Sequence, residues 1–202
     1  MTATILTETD AGVGLLTLNR PEEGNRLDAG MQLALYDALS RLQADRQVRL
    51  VIVGAQGRAF CHGAATLAAS SIEALQRFPK PLLARVQGEA IGFGCALIAA
   101  CDIALTTFDA MFRLRGTSAL SGSERRLLAQ AMGERQARRL MLTGEALSAI
   151  EARRLGLVHE VVADETALDD ALAGLVAAIL DNEEGWLRLL SGERGELLCN
   201  SS

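Results

Sequence analysis

At 202 residues, half of them hydrophobic, the chain is long enough to bury one sizeable core. A net charge of −5, with arginines and glutamates interspersed, excludes the basic surface that a nucleic-acid partner needs. The chain opens on no basic leader, and its longest apolar run, near Ala96 to Ala100, is too short to cross a bilayer, so the expectation is a cytoplasmic protein with no membrane contact.

In chain order, Thr4 to Glu8 and Val13 to Leu18 alternate apolar and polar residues around Asp10-Ala11-Gly12, which reads as a β-hairpin. Pro21 and Gly24 mark the next segment as a loop. Asp28 is placed to cap a helix running to about Asp45, with Met31, Leu35, Tyr36, Leu39 and Leu42 on one face. Leu50 to Gly54 is a continuous apolar run of the kind buried on both sides of a sheet. Ser71 to Phe78 reads as a helix, Leu82 to Val86 as a strand, Gly94 to Ala100 as a buried helix, and Ile103 to Thr106 and Met111 to Leu114 as strands. Glu124 to Ala131, Arg135 to Leu142 and Ser148 to Leu155 are amphipathic, with Gly133, Gly144 and Gly156 at their ends. Leu157 to Val162 is the last strand, Asp164 or Thr166 caps a helix from Ala167 to Leu180, and Glu184 to Leu190 forms a final short one. Alternating strands and helices without a compositional break indicate one α/β domain, residues 1–182, followed by a short helix and polar tail over residues 183–202.

Two glycine-rich stretches follow strands: Phe60-Cys61-His62-Gly63-Ala64-Ala65 and Ala90-Ile91-Gly92-Phe93-Gly94-Cys95. Glycines at strand-to-helix turns let backbone N–H groups approach a ligand oxygen closely. Two such turns can aim two N–H donors at one carbonyl, an oxyanion hole; alternatively, both merely pack strand on helix. The four cysteines, Cys61, Cys95, Cys101 and Cys199, lack paired or finger spacing, so no metal site is expected and the first three read as small buried residues.

Seven segments together resemble the enoyl-CoA hydratase/isomerase (crotonase) superfamily: Leu18-Asn19-Arg20-Pro21, the stretch from Gly57 to Ala64, Pro79 to Gly88, Ala90 to Cys95, Ala100 to Ala104, Leu142-Thr143-Gly144-Glu145, and Ala152 to Val158. No one of them is specific, but their order and spacing match the family from about residue 4 to residue 180. The resemblance implies a crotonase-type spiral of repeated ββα units, acyl-CoA thioesters as substrate or ligand, and no permanently bound cofactor. It also implies a homotrimer or dimer of trimers, and an oxyanion hole made by the N–H groups of Ala64 and Phe93.

The sequence departs from the family's hydratases where proton transfer is carried. They place one glutamate directly after the second turn's Gly-Cys and another after a Phe-x-x-Pro stretch, because water addition needs both a base and an acid. Here those positions are Ala96 and Gly116. Glu124, in a stretch a few residues shorter than the family's, is either a displaced carboxylate or a first-turn glutamate favoured by the helix dipole. His62, inside the first turn, either faces the thioester or bonds a neighbouring carbonyl. Glu89 reads as a loop residue, and His159 and Asp102 as structural. Lys80 is the one lysine, so arginines would have to hold the CoA phosphates. The family's mobile helix over the acyl pocket and its C-terminal helical region are shortened or missing. The reading is therefore an acyl-CoA-binding family member with altered or weak activity. The alternatives are an inactive paralogue acting as a binding or assembly subunit, and an isomerase or decarboxylase using a non-standard residue.

Overall fold

The computed structural model describes residues 3–65, 69–114, 120–183 and 185–186. Strands β1 (Ile5–Asp10) and β2 (Val13–Leu18) form the expected hairpin, closed by Ala11 and Gly12, both at positive φ, the backbone that a two-residue hairpin turn demands. β2 then pairs in parallel with β3 (Leu50–Ala55), β3 with β4 (Leu82–Val86), β4 with β6 (Ile103–Thr107), and β6 with β9 (Glu160–Val162), giving a six-stranded sheet. A second sheet of three short strands comprises β5 (Glu89–Ile91), β7 (Met111–Arg113) and β8 (Ala146–Ser148). The chain visits the two sheets in turn: β4 then β5, β6 then β7, β8 then β9. That alternation is the ββα spiral expected from the resemblance.

The continuous apolar runs are explained by what lies on each face. Along β3, Val51 and Val53 point into the main core, while Leu50 and Ile52 point the other way with Leu83 of β4 and Leu105 of β6. The main core is filled by α1 (Ala29–Ala44), α2 (Ala69–Gln76), α3 (Phe93–Ala99), α4 (Gly122–Met132), α5 (Glu134–Thr143) and α6 (Ala149–Leu155). The other face carries α7 (Glu165–Asp181), which buries Leu168 and Leu172 against it. Parallel strands covered on both faces lose the alternation seen in the exposed hairpin.

Asp28 caps α1 by accepting from Met31 N at 2.8 Å, and Asp164, not Thr166, caps α7 by accepting from Ala167 N. Three readings are corrected. Tyr36 is 48% exposed rather than on the buried face of α1, where Ala38 takes its place. The last strand covers Glu160–Val162 alone, with Leu157 and Val158 buried just before it. β5 and β8 depart from the expectation, because Ala90 and Ile91 read as part of a glycine turn and Ser148 as the start of a helix, and Glu89 sits in a strand rather than a loop. Residues 184 and 187–190 of the expected final helix, the tail to residue 202 with Cys199, and Gly116 lie outside the described residues.

The loop after β2 is pinned by one buried side chain. Asn25, at φ +54 and fully buried, donates from Nδ2 to Gln56 O (2.9 Å) and Ala59 O (2.8 Å) and accepts from Arg20 N (2.8 Å). Asparagine tolerates this left-handed backbone better than most residues. Asn25→Ala removes the partner of three partly buried backbone groups, so a loss of roughly 3 kcal/mol of unfolding free energy is expected in urea titration.

Candidate functional site

Both glycine-rich turns put a glycine at positive φ directly before the residue of interest: Gly63 (φ +93) before Ala64 and Gly92 (φ +55) before Phe93. The unusual backbone thus falls on the glycines, and residues 64 and 93 are free to carry side chains. Phe93 uses that freedom by sending its ring into the main core, 3% exposed.

Two bridges seat the turns. Phe60 N and Cys61 N both donate to Glu89 O, at 3.0 and 3.1 Å, and Ile91 N donates to Cys61 O at 2.8 Å, so the first turn lies alongside β5. On its other side Leu27 N donates to Gly63 O (2.9 Å) and Ala65 N to Leu27 O (2.8 Å). In a parallel bridge of this kind the flanking residues make the bonds, and the central residue's own N–H points away. Among the described residues the Ala64 N–H has no protein acceptor. Neither has that of Phe93, the first residue of α3, because the opening N–H groups of a helix have no intrahelical partner. The next residues do bond inward: Cys95 N and Ala96 N both reach Gly92 O.

The turns touch. A Cβ on Gly94 would lie 2.4 Å from Cys61 O, and one on Gly63 would lie 3.3 Å from Ile91 O. Between them opens a cleft of about 340 Å³ whose walls include His62, Ala64, Phe93, Arg26, Glu23 and Leu120. The structure thus brings Ala64, Phe93 and His62 together.

Glu124 is not among the residues lining this cleft. It is 1% exposed and closes a capping box on α4: Oε2 accepts from Ser121 N at 2.5 Å, and Ser121 Oγ accepts from Glu124 N at 3.2 Å. Ala96 is buried in α3 and presents only a methyl group. Glu23, the one carboxylate among the cleft-lining residues, pairs with Arg20. Lys80 Nζ is held at the end of α1 by Leu42 O and Asp45 O, at 2.7 and 2.6 Å. Asp102 Oδ2 accepts from Leu82 N and His159 Nδ1 from Ala104 N, both bracing strands of the large sheet. Cys61, Cys95 and Cys101 are buried thiols, and burial pushes those of Cys61 and Cys95 up to about 12. No cluster of ligating side chains suited to a metal occurs among the described residues, and none of their helices is long and apolar enough to cross a membrane.

His62 was legible as a candidate, but its surroundings were not. Its Nε2 lies 3.1 Å from Glu89 Oε2, off the line of a hydrogen bond, and its Nδ1 rests over Gly24. Nothing in a lone glutamate before a turn marks Glu89 as a histidine's neighbour.

Burial holds the Glu124 carboxyl above its ordinary value of 4.5, the Ser121 N–H opposing this, and Oε1 has no hydrogen-bond partner. A folded-state value above the unfolded one means the native state keeps a proton that the unfolded state has lost. Stability therefore falls as pH rises past about 4.5 toward neutrality. Glutamine at 124 preserves the capping box without the ionisation. Urea unfolding of Glu124→Gln at pH 4 and pH 7 is expected to show the variant gaining on the native protein at the higher pH.

Comparison with known proteins places the chain. The sequence profile described as enoyl-CoA hydratase/isomerase matches residues 8–71 and 65–191. A probable enoyl-CoA hydratase of Rhizobium meliloti is 35% identical over 188 residues, covering 84% of this chain and 72% of the relative. The probable enoyl-CoA hydratase EchA12 of Mycobacterium tuberculosis is 36% identical over 188 residues, covering 80% of this chain and 66% of its own length. The crystal structure of an enoyl-CoA hydratase from Mycobacterium smegmatis superimposes with a TM-score of 0.82 at 36% identity, covering 88% of this chain and 77% of that one.

Proposed function

The chain belongs to the enoyl-CoA hydratase/isomerase family, and on that premise we propose that its cleft binds an acyl-CoA thioester and holds the thioester oxygen between the N–H groups of Ala64 and Phe93. The observation that carries this reading is a pair of backbone donors, both without an acceptor among the described residues, on two touching turns that line one cleft. When an enolate or tetrahedral intermediate forms, negative charge develops on that oxygen. Donors already fixed by the fold stabilise it without reorganising.

The same cleft is poorly equipped to add water. Hydration needs one group to deprotonate water and another to protonate the α-carbon. Ala96 and Gly116 stand at the two family positions and cannot ionise, Glu23 is engaged by Arg20, and Glu124 by its own helix cap. Chemistry that relies chiefly on stabilising charge at that oxygen, such as decarboxylation, thioester cleavage or double-bond isomerisation through another proton carrier, fits the site better. The scarcity of free carboxylates also favours a second reading, a binding or assembly subunit that holds acyl-CoA without turnover. We expect the chain to assemble with copies of itself in either case, and α1 leaves Leu33 and Tyr36 exposed three residues apart, 63% and 48%. Light scattering is expected to give a trimer or hexamer, and a particle of 21.5 kDa would remove that part of the reading.

Proline at the first position of a helix removes only an N–H that has no intrahelical partner. Phe93→Pro therefore deletes one donor, and Phe93→Ala is the control that loses the ring and keeps the N–H. In calorimetry with acetoacetyl-CoA, which ionises readily to an enolate, the proline variant is expected to bind about 10²-fold more weakly than the alanine variant. Equal affinities would overturn the donor assignment. Crotonyl-CoA hydration by the native protein is expected about 10²-fold or more below the roughly 10 s⁻¹ of a median enzyme.

A further inference from the structure

We propose that His62, oriented by Glu89, is the base that moves the α-proton of the bound acyl group; this rests on the acyl-CoA reading above. A single residue, Gly63, separates His62 from the Ala64 donor, and the imidazole forms part of the same cleft wall. It is the one histidine among the lining residues, and the lining carboxylate, Glu23, is already paired with Arg20. The ring's two nitrogens are in different surroundings. Nε2 is buried 3.1 Å from Glu89 Oε2, near enough for the carboxylate to hold its proton once the pair tightens, and Nδ1 makes no hydrogen bond among the described residues. The off-line approach of Nε2 to the carboxylate is the loose geometry that such pairs show before substrate tightens them.

Two observations speak against a purely structural purpose. The first turn is already fastened to β5 by the three backbone bonds of Phe60, Cys61 and Ile91, so the side-chain pair adds little to that seam. An ion pair this exposed, 36% at His62 and 47% at Glu89, contributes little to stability in any case. Meanwhile the fold makes room for the ring. Nδ1 sits 2.3 Å from where a Cβ on residue 24 would stand, and residue 24 is a glycine at φ +60 whose carbonyl accepts from His62 N at 2.8 Å. Any side chain at 24 would push the imidazole out of its place on the cleft wall.

The step balances without a co-reactant. Nδ1 takes the proton from the α-carbon as the C–H bond breaks, and the electron pair forms the C=C bond of the enolate. The thioester oxygen then carries the negative charge between the Ala64 and Phe93 N–H groups. The imidazolium is stabilised through Nε2–H by the Glu89 carboxylate, and return of a proton from Nδ1 to carbon restores a thioester. In heavy water the proton returned is a deuteron.

The test follows deuterium entering the α-position of butyryl-CoA by proton NMR, with binding of butyryl-CoA measured by calorimetry on the same samples. The native protein is expected to accelerate exchange over buffer. His62→Ala should lower the exchange rate by about 10²–10⁴-fold while leaving affinity for butyryl-CoA near its native value. Added imidazole should restore part of the lost rate, which a merely structural histidine would not permit. Glu89→Gln should lower the rate less, without changing affinity, and Glu124→Gln should leave it unchanged. His62→Gln, closer in volume, guards against a folding defect in the alanine variant. Native-like exchange in both His62 variants, or binding by the native protein without exchange, overturns this assignment and leaves the acyl-CoA reading standing. Failure to bind butyryl-CoA removes both.

Discussion

The site depends on a close approach of two backbones. The first turn can lie against β5 only because Gly94, at the head of α3, has no side chain: a Cβ there would fall 2.4 Å from Cys61 O. The three hydrogen bonds joining Phe60, Cys61 and Ile91 to their partners each contribute about 1 kcal/mol, a modest sum by itself. Their importance is geometric. They fix which way the N–H groups of residues 64 and 93 point, and the cleft exists between those two residues.

From that constraint the roles of the surrounding residues follow. Gly63 and Gly92 absorb the positive φ angles, so Phe93 can place an aromatic ring in the core without disturbing its own N–H. Asn25 ties the preceding loop to the far end of β3, and Gly24, next to it, leaves space for His62. A polar side chain at the heart of one loop and a missing side chain beside it thus decide what forms the cleft wall. The carboxylate that sequence reasoning singled out, Glu124, has a helix to cap, and its burial answers to that duty.

Most of the fold could be read from the sequence because its long elements carry strong periodic signals. The run from Leu50 to Val53 reads as a buried strand, and Asp28 three residues before Met31 reads as a cap; both hold in the structure. What escaped reading was short or relational. β5 and β8 have three residues each, and Tyr36 lies on the spacing of a buried face that the helix rotates slightly away from. At the site, the glycine turns marked where backbone donors could meet, since a glycine after a strand carries local meaning, and it was the resemblance to the family that pointed to Ala64 and Phe93. The nearness of Glu89 to His62 carried no such mark. Twenty-seven positions separate them, and only the pairing of turn and strand brings them together.

The face of the sheet turned away from the cleft has a different character. There α7 rests on a core of its own, with Leu50, Leu83, Leu105, Leu168 and Leu172 buried apart from the main cluster. At its first turn Arg85 reaches Glu165 and Asp169 at 3.2 and 2.6 Å, and at its end Arg49 reaches Leu180 O and Glu183. Beside it runs a groove of about 490 Å³ along β2 and β3. A helix that buries few side chains fully and is tied by exposed ion pairs belongs to the low-stability end of a fold. Its amides are expected to exchange with solvent ahead of those in the two turns and the sheet between them, so that loosening begins on the side away from the cleft.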